Sequence, residues 1–116
     1  LQNAVARLVE AADAYDALDI DPATLDAMTR ARANRLLYTT ERLLTHPDGL
    51  PRRPWFRHHV YAPGFYTGYG VKTLPAVREA IEEREFETLD DEITRTAEVL
   101  DGLTQRIEDL VRLLRA

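Results

Sequence analysis

The sequence predicts an all-α fold: a four-helix bundle with a long ordered loop, rich in proline, glycine and aromatic residues, between the second and third helices. Two observations predict it. Apolar residues recur at steps of three or four positions through most of the chain, and helix start and stop signals divide the pattern into four segments. Residues 46–72 interrupt the pattern, because they hold four of the six prolines and four of the five glycines. That density excludes a regular helix there.

Two helices are predicted before the loop. The first covers residues 1–17, where an apolar stripe is formed by Leu1, Val5, Leu8, Ala12 and Tyr15. Asp21 followed by Pro22 is a start signal, because aspartate accepts hydrogen bonds from free amides of a first turn and proline fits the first helical position. The second helix is therefore predicted to run from Pro22 to Thr45.

Two helices are predicted after the loop. Thr73 and Pro75 indicate the start of a short helix over residues 74–86, and Thr88 resembles the first residue of a capping box for the last helix. That last helix carries two apolar seams with a seven-residue repeat, namely Ile93, Leu100, Ile107 and Leu114, and Leu89, Thr96, Leu103 and Leu110. Such a repeat is typical of a coiled coil or of the core seam of a bundle. We favour the bundle, with this seam used mostly inside it.

Composition sets limits on function. A chain of 116 residues suffices for one domain, and a net charge of −5 with one small basic loop argues against a nucleic-acid partner. No apolar run approaches the length of a membrane span, so we expect no membrane contact from this segment. Cysteine and serine are absent, which excludes disulfides and nucleophilic catalysis by either side chain. Because the sequence starts at Leu1, already in helical pattern, we expect a fragment of a longer protein.

The histidines invite a metal-site hypothesis, which the spacing does not support. His58 and His59 are adjacent, so their side chains point in different directions in either a helix or a strand. His46 adds no spacing typical of zinc ligands. We therefore predict no metal site and no cofactor in this chain, and we interpret these histidines as hydrogen-bonded structural residues.

Basic and aromatic residues alternate in the loop and allow two interpretations. Near Trp55 and Phe56 lie Arg52, Arg53 and Arg57, an arrangement that can stack on nucleobases. The same arginines can instead hold carboxylates or the last carbonyls of a neighbouring helix. We favour the structural role.

The loop also resembles a known family. The segment DGLPRRPWFRHHVYAPGFYTGYGVKTLPAV, residues 48–77, is similar to the C-terminal dimerisation domain shared by the transferrin receptor and the glutamate carboxypeptidase (prostate-specific membrane antigen) family of zinc metallopeptidases. The matching positions are Gly49, Leu50, Pro51, Arg53, Pro54, Phe56, Arg57, His58, Tyr61, Ala62 and Pro63, and then Tyr69 to Pro75. The number and order of the predicted helices agree with that domain.

The resemblance implies a function that the residues alone would not. Residues 1–116 would be a single C-terminal, non-catalytic dimerisation domain and a fragment of a longer zinc peptidase. Its partners would be a second copy and the peptidase domain of the parent chain. Zinc and catalytic residues would belong to that peptidase domain, and the parent would be extracellular or secreted. A receptor-like binding module without peptidase activity is the other possibility within this family.

The resemblance also implies roles for loop residues. In glutamate carboxypeptidases the loop lends a Lys-Tyr pair to the pocket for the substrate's terminal glutamate, and the matching positions are Gly68 and Tyr69. Tyr69 keeps a hydroxyl donor, whereas Gly68 lacks the ammonium that would pair with a carboxylate. Loop 64–72 would thus line a substrate pocket. The residues expected to pack the loop or form its interface are Arg53, Trp55, Phe56, Arg57, His58 and Tyr61.

Overall fold

The computed structural model of the chain describes residues 1–66 and 70–115. Within them lie four α-helices, two short 3-10 helices and two short strands. We name the α-helices α1 (Gln2–Asp16), α2 (Ala27–Tyr38), α3 (Pro75–Glu82) and α4 (Phe86–Arg115), and the strands β1 (Tyr61–Pro63) and β2 (Val71–Thr73). The 3-10 helices are Pro22–Thr24 and Thr40–Leu44, on either side of α2.

The long helix α4 is the centre of the molecule. The other three α-helices and the second 3-10 helix all pack on it. Its 30 residues account for most of the 52 Å long dimension of the described chain, since an α-helix rises about 1.5 Å per residue. Arg7 of α1 donates from Nε and Nη2 to the carboxylate of Asp101, at 2.8–3.1 Å. α1 and α2 therefore flank the C-terminal half of α4, and α3 packs near its start.

The prediction of an all-α fold is wrong, because the segment expected to be only a loop contains a two-stranded antiparallel sheet. In its register Tyr61 pairs with Thr73, Ala62 with Lys72 and Pro63 with Val71. The β-branched and aromatic residues in these triplets favour extended backbone. The strand pairing was not predicted because prolines and glycines surround both triplets in the sequence. Pro63 sits at the end of its strand, where the missing amide costs no interior ladder bond.

The second predicted helix is interrupted at both ends. Leu25 is extended, and Asp26 accepts a 2.8 Å hydrogen bond from the Thr29 amide, so α2 starts five residues later than Pro22. At the other end, Arg106 of α4 donates to the Leu36 carbonyl at 2.7 Å and to the Thr39 hydroxyl at 2.8 Å. These bonds satisfy groups at the helix end. The chain then tightens into a 3-10 turn instead of continuing to Thr45 as α-helix.

The remaining boundaries also shift. The helix predicted over residues 74–86 ends at Glu82, and Arg84 takes a left-handed conformation with φ of 57°. α4 then begins at Phe86, before the capping box that Thr88 was expected to start. A left-handed residue is a common way to end a helix, and here it separates α3 from α4 by three residues.

The side chains that α1, α2 and α3 bury are mostly small. Buried apolar residues of α1, α2 and α3 include Ala4, Ala11, Ala33, Ala76 and Ala80. Of the eight seam residues of α4, Thr96, Leu100 and Leu110 are buried, and the other five are half-buried. The seam is therefore only partly covered within the described chain, and its C-terminal half keeps accessible apolar surface.

Candidate functional site

We call residues 45–66 and 70–74, which connect the second 3-10 helix to α3, the aromatic loop. Its base is closed by backbone hydrogen bonds from the His46 amide to the Arg57 carbonyl, at 2.9 Å, and from the His59 amide to the Leu44 carbonyl, at 2.8 Å. Inside this ring the Leu50 amide donates to the Phe56 carbonyl at 2.8 Å. The loop is therefore a folded unit with its own internal bonds, as compact surface loops usually are.

An ion pair between Arg53 and Glu79 holds the aromatic loop to α3. Both residues are buried, at 3% and 7% exposure, and Arg53 Nη2 bonds Glu79 Oε1. Arg53 also donates to the carbonyls of Pro51, at 3.1 Å, and Pro63, at 3.5 Å. The second carboxylate oxygen of Glu79 accepts from the Phe65 amide at 3.3 Å. The Arg53–Glu79 pair thus connects α3 to two separate parts of the loop, near Pro51 and near Pro63 and Phe65.

Arg52 forms a second attachment at the surface. Its guanidinium lies 3.9 Å from the centroid of the Phe65 ring, a cation–π arrangement. It also bonds Glu83 of α3 at 2.6 Å and the Tyr66 hydroxyl at 3.4 Å. Arg52 has a positive φ of 65°. The Arg53 guanidinium also lies over the Phe65 ring, at 5.9 Å, so both arginines approach this residue.

His58, Tyr61 and Glu41 form a hydrogen-bonded cluster at the base of β1. The Val60 and Tyr61 amides each donate to His58 Nδ1 at 3.2 Å, so His58 Nε2 carries the proton that it donates to Glu41 at 3.0 Å. The Tyr61 hydroxyl donates to the same carboxylate oxygen at 2.9 Å. This bond, more than that from His58, lowers the pKa of Glu41, and the carboxylate raises the pKa of Tyr61. The cluster joins the loop to the second 3-10 helix.

His59 is fully buried and belongs to the packing of the loop. Its Nδ1 donates to the Arg57 carbonyl at 2.9 Å, and its ring lies 5.7 Å from that of His46. Burial lowers the pKa of His59, which keeps the imidazole neutral. In residues 1–66 and 70–115, no three His, Asp or Glu side chains are grouped to hold a metal ion.

A cavity of about 10 Å³ lies under the loop, between α3 and the start of α4. Arg53 Nε and Glu92 Oε2 both belong to residues that line it, and neither atom has a hydrogen-bond partner among the described protein groups. Burial raises the pKa of Glu92. The cavity has the volume of one water molecule, so it is far too small for a substrate.

The outer side of the aromatic loop is apolar and exposed. Tyr66 is 77% exposed, Trp55 70%, Val71 66% and Tyr61 50%. Aromatic residues that are both exposed and held on a fixed backbone are typical of contact surfaces between proteins or domains. The arrangement can bind a partner surface.

The residues predicted to pack the loop or form its interface differ in how far they are buried. Arg53 is buried, His58 is half-buried, and Trp55, Arg57 and Tyr61 are exposed, as is Phe56 at 37%. Gly68 and Tyr69 lie outside the described residues. Sequence reasoning missed the acidic partners on α3. Glu79 could have been found, because it is an acid among Ala76, Val77 and Ala80 on the apolar face of a helix.

Comparisons with known proteins agree on one family. The family described as transferrin receptor-like dimerisation domain matches residues 1–108. A probable glutamate carboxypeptidase of Arabidopsis thaliana is 47% identical over 49 residues, which are 42% of this chain and 7% of that protein. A probable glutamate carboxypeptidase of Arthroderma benhamiae is 37% identical over 57 residues, 49% of this chain and 8% of that protein. The matched segments thus span less than a tenth of these relatives. In the described part of the chain, none of the helices combines the length and the hydropathy of a membrane span.

Proposed function

Because this chain belongs to the transferrin receptor-like dimerisation domain family, we propose that it joins two copies of a larger protein into a homodimer. The observation that carries the proposal is the family match over residues 1–108, which includes all but the end of α4. The partly covered seam of α4 supports it, since accessible apolar surface on a small domain is what an interface would cover.

Self-association predicts a concentration-dependent stability. If two folded copies bind each other and unfolded chains do not, the Tm rises as protein concentration rises. We expect this shift for the chain at micromolar concentrations, together with a dimer peak in native mass spectrometry. A Tm that is independent of concentration, with only monomer mass, would contradict the proposal.

We further propose that the parent protein is a glutamate carboxypeptidase-like zinc peptidase. The support is that the two relatives described above bear the name probable glutamate carboxypeptidase. This chain would supply no catalytic residue, and the zinc would be bound by the peptidase domain. A receptor-like protein without peptidase activity is the alternative. Hydrolysis by the complete protein of peptides with different C-terminal residues, glutamate among them, would distinguish the two.

The aromatic loop is then proposed to face the peptidase domain, with loop 64–72 lining the substrate pocket and Tyr69 offering its hydroxyl there. The support is the exposed surface of Trp55 and Tyr66 on a backbone fixed by the Arg53–Glu79 pair. Gly68 offers no cation, so a carboxylate in such a pocket would have to be held by groups of the peptidase domain.

This orientation is tested by the affinity of the chain for a separately produced peptidase domain of its parent. Trp55→Ala and Tyr66→Ala are expected to weaken binding by about 1–2 kcal/mol each, as buried aromatic contacts do. Tyr38→Ala is the matched control, because Tyr38 is also 65% exposed but lies at the end of α2. Equal affinities for all three variants would show that the loop faces elsewhere.

A further inference from the structure

α1 and α2 leave an apolar groove between them on the surface of α4. Both helices pack on α4 but make few contacts with each other in the described part of the chain. The groove has a volume of about 200 Å³. Its floor is Leu103, Ile107 and Leu110 of α4, and its walls are Ala12 and Tyr15 of α1 and Leu37 of α2. Three helices are therefore arranged as in a bundle with room along one side for another.

The charges around α4 distinguish this groove from its neighbours. Among the described residues that line it, Asp16 is the only charged one. The groove on the other side of α1 is lined by charged residues of both signs, Arg7, Glu10, Glu108, Arg112 and Arg115. The groove on the other side of α2 is likewise lined by Arg32, Asp109 and Arg112. Covering the groove between α1 and α2 therefore removes less water from charged side chains than covering either neighbouring groove would.

An exposed apolar stripe on α1 continues from the wall of this groove. Val5 and Val9 are 42% and 53% exposed. They precede Ala12 by seven and three residues, so all three project from one narrow side of the helix. Isolated exposed valines are ordinary, but two at helical spacing beside an apolar groove extend one continuous surface.

We infer that this surface is where a second copy of the chain binds, with α1 of each copy covering the groove of the other. The inference rests on the proposed dimerisation and names its interface. A two-fold dimer places the same patch against itself, and among the described residues of the groove lining Asp16 is the only charged side chain that each copy brings to it. A standard interface needs about 800 Å² per partner, roughly a tenth of the 7743 Å² accessible surface, which one helical face can supply.

The inference is tested by sedimentation velocity on three glutamate variants. Leu37→Glu and Val9→Glu place a charge in the groove wall and in the stripe, and we expect the dimer dissociation constant to rise at least about tenfold in each. Met28→Glu is the control, because Met28 is 74% exposed and lies nine residues before Leu37, on the opposite side of α2. All three positions are exposed, so circular dichroism should show an unchanged fold.

The outcomes separate this inference from the proposed function. Dimers of equal affinity in all four proteins would overturn the interface and leave dimerisation standing. A monomeric wild type would overturn both. If Leu37→Glu weakened binding of the peptidase domain while the dimer kept its affinity, the groove would be occupied by that domain, and the inference would be wrong.

Discussion

Replacing Glu79 with alanine is expected to lower the free energy of unfolding by roughly 3–5 kcal/mol, the cost of leaving one charge of a buried pair without its partner. The variant leaves the Arg53 guanidinium buried, at 3% exposure, and its remaining acceptors in the described part of the chain are the carbonyls of Pro51 and Pro63. It also removes the acceptor of the Phe65 amide. Urea unfolding followed by circular dichroism measures the loss.

Glu82 offers a control on the same helix. It pairs with Lys72 and Arg78 at the surface, with its side chain 42% exposed. Glu82→Ala should therefore lower the free energy of unfolding far less than Glu79→Ala does. The double variant Arg53→Met with Glu79→Leu should lose less than the two single changes together, because no charge is left unpaired. A Glu79→Ala protein as stable as Glu82→Ala would refute the role given to the buried pair.

Replacing Gly49 with alanine is expected to destabilise the domain by roughly 3 kcal/mol or more, from a strained backbone and an overpacked site. Gly49 has a φ of +72°, which residues with a side chain rarely adopt. A Cβ at this position would lie 2.2 Å from the Pro54 carbonyl oxygen. To relieve this clash, the backbone at residue 49 would have to move away from that of Pro54. Urea unfolding again provides the measurement.

The same substitution at Gly102 should have the opposite sign. Gly102 lies inside α4, and a Cβ built there meets no atom within 4 Å. Alanine should therefore raise the free energy of unfolding by about 0.5–1 kcal/mol, the difference in helix propensity. If Gly49→Ala were as stable as Gly102→Ala, the tight turn described for the loop would be incorrect.

The helices could be predicted from the sequence because their signals are local. The heptad pattern of α4 and the stripe of α1 each lie within one segment, and both helices form where expected. The interruption of α2 was not predictable in the same way. It depends partly on Arg106, which is 70 residues away from the Leu36 carbonyl that it binds.

The loop shows the same limit more strongly. Its density of proline and glycine predicts irregular backbone, yet β1 and β2 pair with each other and make a small sheet. Only some of the residues that hold the loop could be predicted from the sequence. Arg53 was expected to pack, but its partner Glu79 is 26 residues further along the chain, and no spacing rule connects a loop arginine to a particular carboxylate on a later helix.

The central proposal is that this chain associates with itself. Sedimentation equilibrium of the chain across the micromolar range tests it most directly, because it gives mass without a partner, a label or an activity. We expect the mean mass to rise from that of the 13.2 kDa chain towards twice that value as concentration increases. A mass that stays at the monomer value up to high micromolar concentration would contradict the account.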